Sequence, residues 1–324
     1  MVAPVLAVPL AFFAGRGLVT SLGEVNTVSA KGVLDGPVVT PTMLPTPSST
    51  QIPGPSVTAT PTREVTLVRE AAGVTCDGEV SARNQEAATE LRRRLGSAVK
   101  GGTTKVSFVV HDWAADLTCG YRAEQSYPTA SVVKVATVAA VMRKAERAGG
   151  SLTAAQRSLA RQAIEISSND AQSSLWSQAG GTSGMQAFFE AAGMDDTKAA
   201  VEWGLTETTA TDQAALMDAI THGDLLSEEN REDLLTLMRG VDPEQDWGIS
   251  EGAPQDEDVA LKNGWYPDGT WRVHSIGYVG EQDSDCDYVL TVLSEDDSTQ
   301  ESGIALVEST ASMVHAALAA GRES

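Results

Sequence analysis

The residues best placed to do chemistry lie in three short stretches. The first is "TASVVKVATVAAVM", Thr129 to Met142. Almost everything after Ser131 is apolar, as in a helix buried on most of its sides, yet Lys134 stands in its first turn. Residues three apart share a helix face. Burial disfavours the charged form of a lysine, and a neutral amine beside a hydroxyl can take its proton. Ser131 can then act as a nucleophile without a histidine. Free N–H groups at the helix start would stabilise a developing oxyanion. The plainer reading of Lys134 is a lysine that snorkels from the edge of a buried helix. The same S-x-x-K spacing recurs at Ser97 and Lys100, but there it ends a charged helix just before Gly101 and Gly102, where nothing desolvates the lysine.

The second stretch, "AIEISSNDAQSSLW", holds Ser167-Ser168-Asn169 where one helix ends and the next begins. Side chains at such a junction can project into a cleft, although ordinary N-capping by Ser168 or Asn169 is the simpler account. The third, "VALKNGWYPDG", places Lys262-Asn263-Gly264 on a strand. A glycine there permits a ligand backbone to come close, and a lysine suits a carboxylate. An edge-strand lysine that guards against aggregation is the plainer alternative.

Composition narrows the field. The 324 residues carry a net charge of −21, which disfavours nucleic acid as a partner. A hydrophobic fraction of 42% is enough for a sizeable core. The three cysteines match no zinc or thioredoxin spacing, and the four histidines form no H-x-x-x-H pair, so neither a metal nor any other cofactor is expected. No serine lies in a G-x-S-x-G elbow, which argues against a Ser-His-Asp hydrolase. His274 reads as a sheet-surface residue that borders the cleft through its nearness to Lys262.

The elements that must position these residues follow from patterning. Residues 1–22 form an apolar run of export-signal or anchor type, with no Lys or Arg before Arg16. Residues 23–64 are rich in Pro, Thr and Ser and read as an extended tether. Together they imply an extracellular or cell-envelope protein, tethered to a membrane or cell wall. Residues 65–324 would be the folded domain, with a monomer as the default expectation. It opens with a helix, "SARNQEAATELRRRLGSAV". The strands "KVSFVVHDW" and "LTCGYR" then form a hairpin about Ala114–Asp116. Five helical segments are expected from Ser131 to Gly193, and two more in "TATDQAALMDAI" and "SEENREDLLTLMRG". Three strands, "VALKNGWY", "WRVHSIGYV" and "DYVLTVLSE", precede a last helix over 303–319. Strands from both ends can pair into one antiparallel sheet, with the terminal helices on one face and the helical block on the other. The fold class is α+β. In an exported chain Cys76 and Cys119 are the expected disulfide, with Cys286 left over.

In their order, S-x-x-K, S-x-N and K-x-G resemble the motifs of the penicillin-recognising serine hydrolases, the class A β-lactamases and penicillin-binding DD-peptidases. The resemblance runs from about Cys76 to the C-terminus. "WGLTETTATDQAALM", "LKNGW" and "WRVHSIGYV" are similar to exported actinobacterial class A β-lactamase-related hydrolases. It implies a β-lactamase/transpeptidase-like fold: an antiparallel five-stranded sheet flanked by helices, plus an all-helical subdomain. It implies a β-lactam or D-Ala-type peptide as substrate. By position, Ser131 would be acylated, Lys134 would be its base, and Ser167 would pass a proton to the leaving nitrogen. Asn169 would touch Lys134 and the substrate amide. Lys262, with Asn263 and Gly264, would hold the substrate carboxylate. The N–H groups of Ser131 and Trp265 would form the oxyanion hole.

Three departures qualify this resemblance. Ser131 and Ser167 are only 36 positions apart, so the helical subdomain is reduced. Ser168 and Asn263 replace the Asp and Thr usual at the motif centres. The loop "GMDDTKAAVEWGLTETTATD" is short, and its glutamates, Glu202 and Glu207, lack the family's E-x-x-L-N setting. An efficient deacylation base is therefore not expected, and an acyl-enzyme should be long-lived. Two other readings remain: a hydrolase of another amide or ester, and a catalytically weak binding or sensing domain that keeps the fold.

Overall fold

A computed structural model describes residues 68–71, 73–98 and 105–324. The export-like segment 1–22, the tether 23–64 and Lys100 of the second S-x-x-K lie outside the described residues.

Strands rich in β-branched residues, Lys105–Asp112, Thr270–Gly280 and Asp287–Asp297, make up the middle of the sheet. Strand β3 (Lys105–Asp112) and strand β4 (Leu117–Tyr121) form the expected hairpin. β3 also pairs antiparallel with β9 (Asp287–Asp297), which pairs with β8 (Thr270–Gly280), which pairs with β7 (Val259–Asp268). These five strands are the expected sheet. β9 is buried along almost its whole length, as strands covered on both faces must be. The observed sheet has seven strands: β7, β8, β9, β3 and β4 in that order, then two more beyond β4. The extra pair is a hairpin of β1 (Val68–Ala71) and β2 (Val74–Gly78), which extends the edge beyond β4. Cys76 on β2 lies directly opposite Cys119 on β4, and the two are joined in a disulfide; Cys286 is free and buried.

One face is covered by the terminal helices α1 (Ala82–Ala98) and α8 (Gln300–Arg322). Leu91, Leu95, Val307, Val314 and Leu318 pack there against Phe108, Val110, Leu290 and Val292. α8 starts earlier than 303 because Thr299 and Ser302 close a capping box ahead of it. It is long and apolar enough to cross a membrane by composition, but its apolar side is spent on this core.

The other face carries the helical block: α2 (Val133–Arg147), α3 (Ala154–Glu165), α4 (Asn169–Ala179), α5 (Gly181–Ala191), α6 (Ala210–Thr221) and α7 (Glu228–Arg239). Side chains of Thr153, Ser168, Thr209 and Ser227 cap four of them. Four α-helices lie between Ser131 and Gly193 rather than five. Ser131 itself sits on a single 3-10 turn, Ala130–Val132, that feeds into α2. Every residue of α2 from Val133 to Met142 is buried, so α2 is the central helix of this half. A two-stranded ladder of β5 (Tyr127–Pro128) and β6 (Glu207–Thr208) ties the approach to Ser131 to the loop after α5.

Candidate active site

Three elements converge on the nitrogen of Lys134. Its Nζ lies 2.8 Å from Ser131 Oγ, 2.7 Å from the main-chain oxygen of Ser167, 3.0 Å from Ser167 Oγ and 3.0 Å from Asn169 Oδ1. The structure thus joins the first two motifs through one atom. Lys134 is wholly buried, and that burial lowers its pKa from 10.5 to about 7. The two carbonyl oxygens can only accept, so they take two N–H bonds. The remaining valence faces the serine hydroxyls. In the neutral amine it is a lone pair directed at the proton of Ser131.

Backbone strain aims the serines. Ser167 has φ 55° and Ala130, just before Ser131, has φ 46°. Left-handed conformations cost a non-glycine residue roughly 1–2 kcal/mol and gather at functional sites. At Ser167 this one residue presents both its carbonyl and its hydroxyl to Lys134. Ser168 does cap α4, its hydroxyl accepting from the Ala171 N–H, so the capping account holds for the middle residue and the chemical one for its neighbours.

The third motif enters from β7. Lys262 Nζ lies 3.1 Å from Ser167 Oγ and donates to the Asn263 carbonyl at 2.9 Å. Its pKa is pushed well below the usual lysine value, first by burial and then by the charge of Lys134. Ser167 Oγ therefore bridges two buried lysines, a ready path for a proton. Among the described residues, no carboxylate is a hydrogen-bond partner of either nitrogen.

Gly264 has a different use from the one its strand position suggests. A Cβ there would sit 2.8 Å from Ser131 N and 2.9 Å from Val132 N. The close approach is made by the chain's own Ser131 turn against β7. Lys262 and Gly264 share the sheet face that bears the helical block; Asn263 and Trp265 alternate onto the other. The expectation that Asn263 contacts substrate is corrected accordingly. Its side chain is fully buried and donates to the carbonyls of Gln245 and Trp247, at 2.8 and 2.9 Å, which fastens the 242–249 segment to β7. The half-buried ring of Trp265 packs near Trp247, with centroids 6.0 Å apart.

His274 is not on the sheet surface. It lies across from Gly264 on β8, is fully buried, and has a pKa lowered by burial to about 4. Its Nε2 is 2.8 Å from the Pro128 carbonyl, and its Nδ1 faces the Ser294 N–H. A carbonyl accepts and an N–H donates, so the proton is on Nε2. The neutral ring thereby anchors the chain three residues before Ser131.

Glu202 and Glu207 are both exposed. The loop instead turns Trp203 inward: Lys134 Nζ lies 5.1 Å from its ring centroid. Sequence reasoning missed this residue. Its only signal was an aromatic side chain in the loop where a carboxylate was sought.

A serine and a desolvated lysine at the foot of a buried helix, with a second lysine reaching Ser167 from an edge strand, define a β-lactamase/transpeptidase-like α+β protein. The chain belongs to the beta-lactamase enzyme family, whose family model matches residues 87–156 and 151–318. Among solved structures, a β-lactamase from Xanthomonas campestris is 19% identical, with a TM-score of 0.62, and the match covers 73% of this chain and 98% of that one. A β-lactamase from Streptosporangium roseum is 20% identical, with a TM-score of 0.60 over 73% and 99% of the two chains. PBP-A is 19% identical, with a TM-score of 0.62 over 71% and 95%. At these identities the likeness is one of fold. No curated protein matches the chain in sequence.

Proposed function

We propose that this protein is an exported serine hydrolase that forms an acyl-enzyme through Ser131 on a β-lactam or a related amide or ester, and that it deacylates slowly. The observation that carries the reading is the pair Ser131–Lys134: a hydroxyl 2.8 Å from a fully buried amine whose pKa is near 7. Lys134 takes the Ser131 proton as Oγ attacks the carbonyl carbon. Ser167, between Lys134 and Lys262, relays a proton to the departing nitrogen. The substrate carboxylate faces Lys262, and the N–H groups of Ser131 and Trp265 receive the oxyanion.

Slow deacylation rests on two observations: among the described residues no carboxylate is a partner of Lys134, and Glu202 and Glu207 are exposed. A similar structure, an acyl-enzyme of a PBP-A mutant with penicillin G, makes a penicillin the natural first probe. Export is supported by the Cys76–Cys119 disulfide, since such bonds persist in oxidising compartments. The commitment of Asn263 to the Gln245 and Trp247 carbonyls favours a second reading, a binding or sensing domain with weak catalysis.

Intact-mass spectrometry of the protein with benzylpenicillin, beside Ser131→Ala, separates these readings. A lasting adduct on the wild type alone supports the proposal. Penicilloate released without a lasting adduct means an efficient β-lactamase and sinks the slow step. Neither adduct nor product favours the binding domain or another acyl group.

A further inference from the structure

Trp203 sits on a one-turn 3-10 helix, Trp203–Leu205, in the loop between α5 and α6. Its position is fixed from several directions. The indole Nε1 donates to Ser173 Oγ at 3.2 Å, and that hydroxyl donates to the Asn169 carbonyl at 2.9 Å. Its own carbonyl accepts from Thr129 Oγ1 and from the Thr206 N–H. The Thr129 N–H donates in turn to the Thr206 carbonyl, two residues before the nucleophile. Further along, Thr197 Oγ1 binds Thr208 Oγ1 at 2.9 Å and donates to the buried Asp212 at 2.5 Å, which fixes both ends of the loop. The half-buried ring is therefore held over Lys134, with its centroid 5.1 Å from Nζ.

We propose that Trp203 is a positioning residue whose indole face keeps bulk water off the loop side of Lys134 and of the ester formed on Ser131. This rests on the acyl-enzyme reading above and assigns its slow step to a particular side chain. Hydrolysis of that ester requires a water whose oxygen attacks the carbonyl carbon while a base takes its proton. The C–Oγ bond then breaks, and Ser131 Oγ recovers a proton. Lys134 can serve as the base only if the water reaches it. Ser131, Ser167 and Asn169 occupy its polar side, and the ring closes another. Of the charged groups near it, Lys262 enters from β7, while Glu202 in the loop and Asp170 on α4 are exposed to solvent. Trp203 thus keeps Lys134 desolvated and able to take the Ser131 proton, and the same cover withholds the water that would finish the reaction.

The test compares wild type, Trp203→Ala, Trp203→Phe and Trp203→Gln by two readouts. One is the decay of the benzylpenicillin adduct by intact mass. The other is the pH dependence of Lys134 acetylation by acetic anhydride, read by peptide mapping. Trp203→Ala is expected to shorten the adduct lifetime about tenfold or more and to move the Lys134 midpoint upward by about one pH unit, because both follow from admitting water. Trp203→Phe keeps an aromatic face and should behave as wild type on both. Trp203→Gln, of intermediate size but hydrated, should follow Trp203→Ala and replaces it if that variant does not fold. A wild-type lifetime and an unmoved midpoint in the Ala or Gln variant overturn the proposal. If the wild type forms no adduct, the acyl-enzyme reading fails, and the Lys134 midpoint alone decides the role of Trp203.

Discussion

Lys134 Nζ lies 2.8 Å from Ser131 Oγ, and its other hydrogen-bond partners are two carbonyls and a second serine hydroxyl. A base of pKa about 7 is half neutral there at pH 7. The acylation rate should therefore rise between pH 6 and pH 8 and then level. Lys134→Ala should lower it by about 10²–10⁴-fold, the range of a general base. Stopped-flow or quenched mass measurements of adduct formation check both. A rate independent of pH over that interval would remove Lys134 from the role of base.

The same burial affects stability, with a defined sign. The folded pKa of Lys134 is depressed from 10.5 to about 7, so the unfolded chain binds more protons between these values. Stability should rise with pH across that window, and Lys134→Met should lose this part of the slope. Urea midpoints at pH 7 and pH 9 for the two proteins measure it; identical slopes would mean that the lysine is solvated.

Gly264→Ala places a methyl 2.8 Å from Ser131 N and 2.9 Å from Val132 N. Both contacts are to backbone, so the Ser131 turn must shift away from β7. A displacement near 1 Å costs about 10²-fold in rate when the reacting geometry depends on it. Adduct formation should fall by that order while circular dichroism stays that of the wild type. Unchanged kinetics in a folded variant would show that the turn moves freely.

Two buried histidines set an acid limit. His274 and His315 both have pKa values lowered by burial from 6.5 to about 4. The ring of His315 lies between the Tyr288 hydroxyl and the Ile249 carbonyl, both at 2.8 Å, a neutral arrangement like that of His274. For each group the stability is full above pH 6.5 and is lost as pH falls toward 4, because the unfolded chain takes up the proton first. Urea midpoints should drop through this range, and His315→Gln should make the drop shallower. A midpoint constant from pH 7 to pH 5 would contradict the neutral assignment.

The sequence made the first two motifs legible because their chemistry depends on local spacing. Ser131 and Lys134 need one turn to meet, and Ser167 and Asn169 need one helix start. Strands β3, β4, β7, β8 and β9 were legible from their apolar runs and the turn residues that bound them. The β1–β2 hairpin was not, since "VREA" and "VTCDG" are too short to show alternation. Asn263 was open to deduction, because the alternation that puts Lys262 and Gly264 on one face sends Asn263 to the other. His274 was not, since a strand buried on both faces gives no pattern from which to tell surface from core. Trp203 escaped because a single 3-10 turn has no period, and its direction is set by contacts from Ser173 and Thr129, 30 and 74 positions away.

The disulfide bears on both the added hairpin and the compartment. Cys76 and Cys119 are 43 positions apart, and closing a loop of that length removes about 4 kcal/mol of unfolded-state freedom in the chain-entropy account. The bond joins β2 to β4 at the sheet edge, on the side of β3 opposite from β9, β8 and β7. The Ser131 turn packs instead against β7. Replacing both cysteines with alanine should therefore lower the urea midpoint clearly while leaving the rate of adduct formation at 25 °C within about twofold, since distant sites act nearly independently. Proteolysis should then cut first within residues 68–78, where β2 has lost its covalent hold on β4. A variant that loses acylation in step with stability would mean that the edge hairpin and the Ser131 turn unfold as one unit.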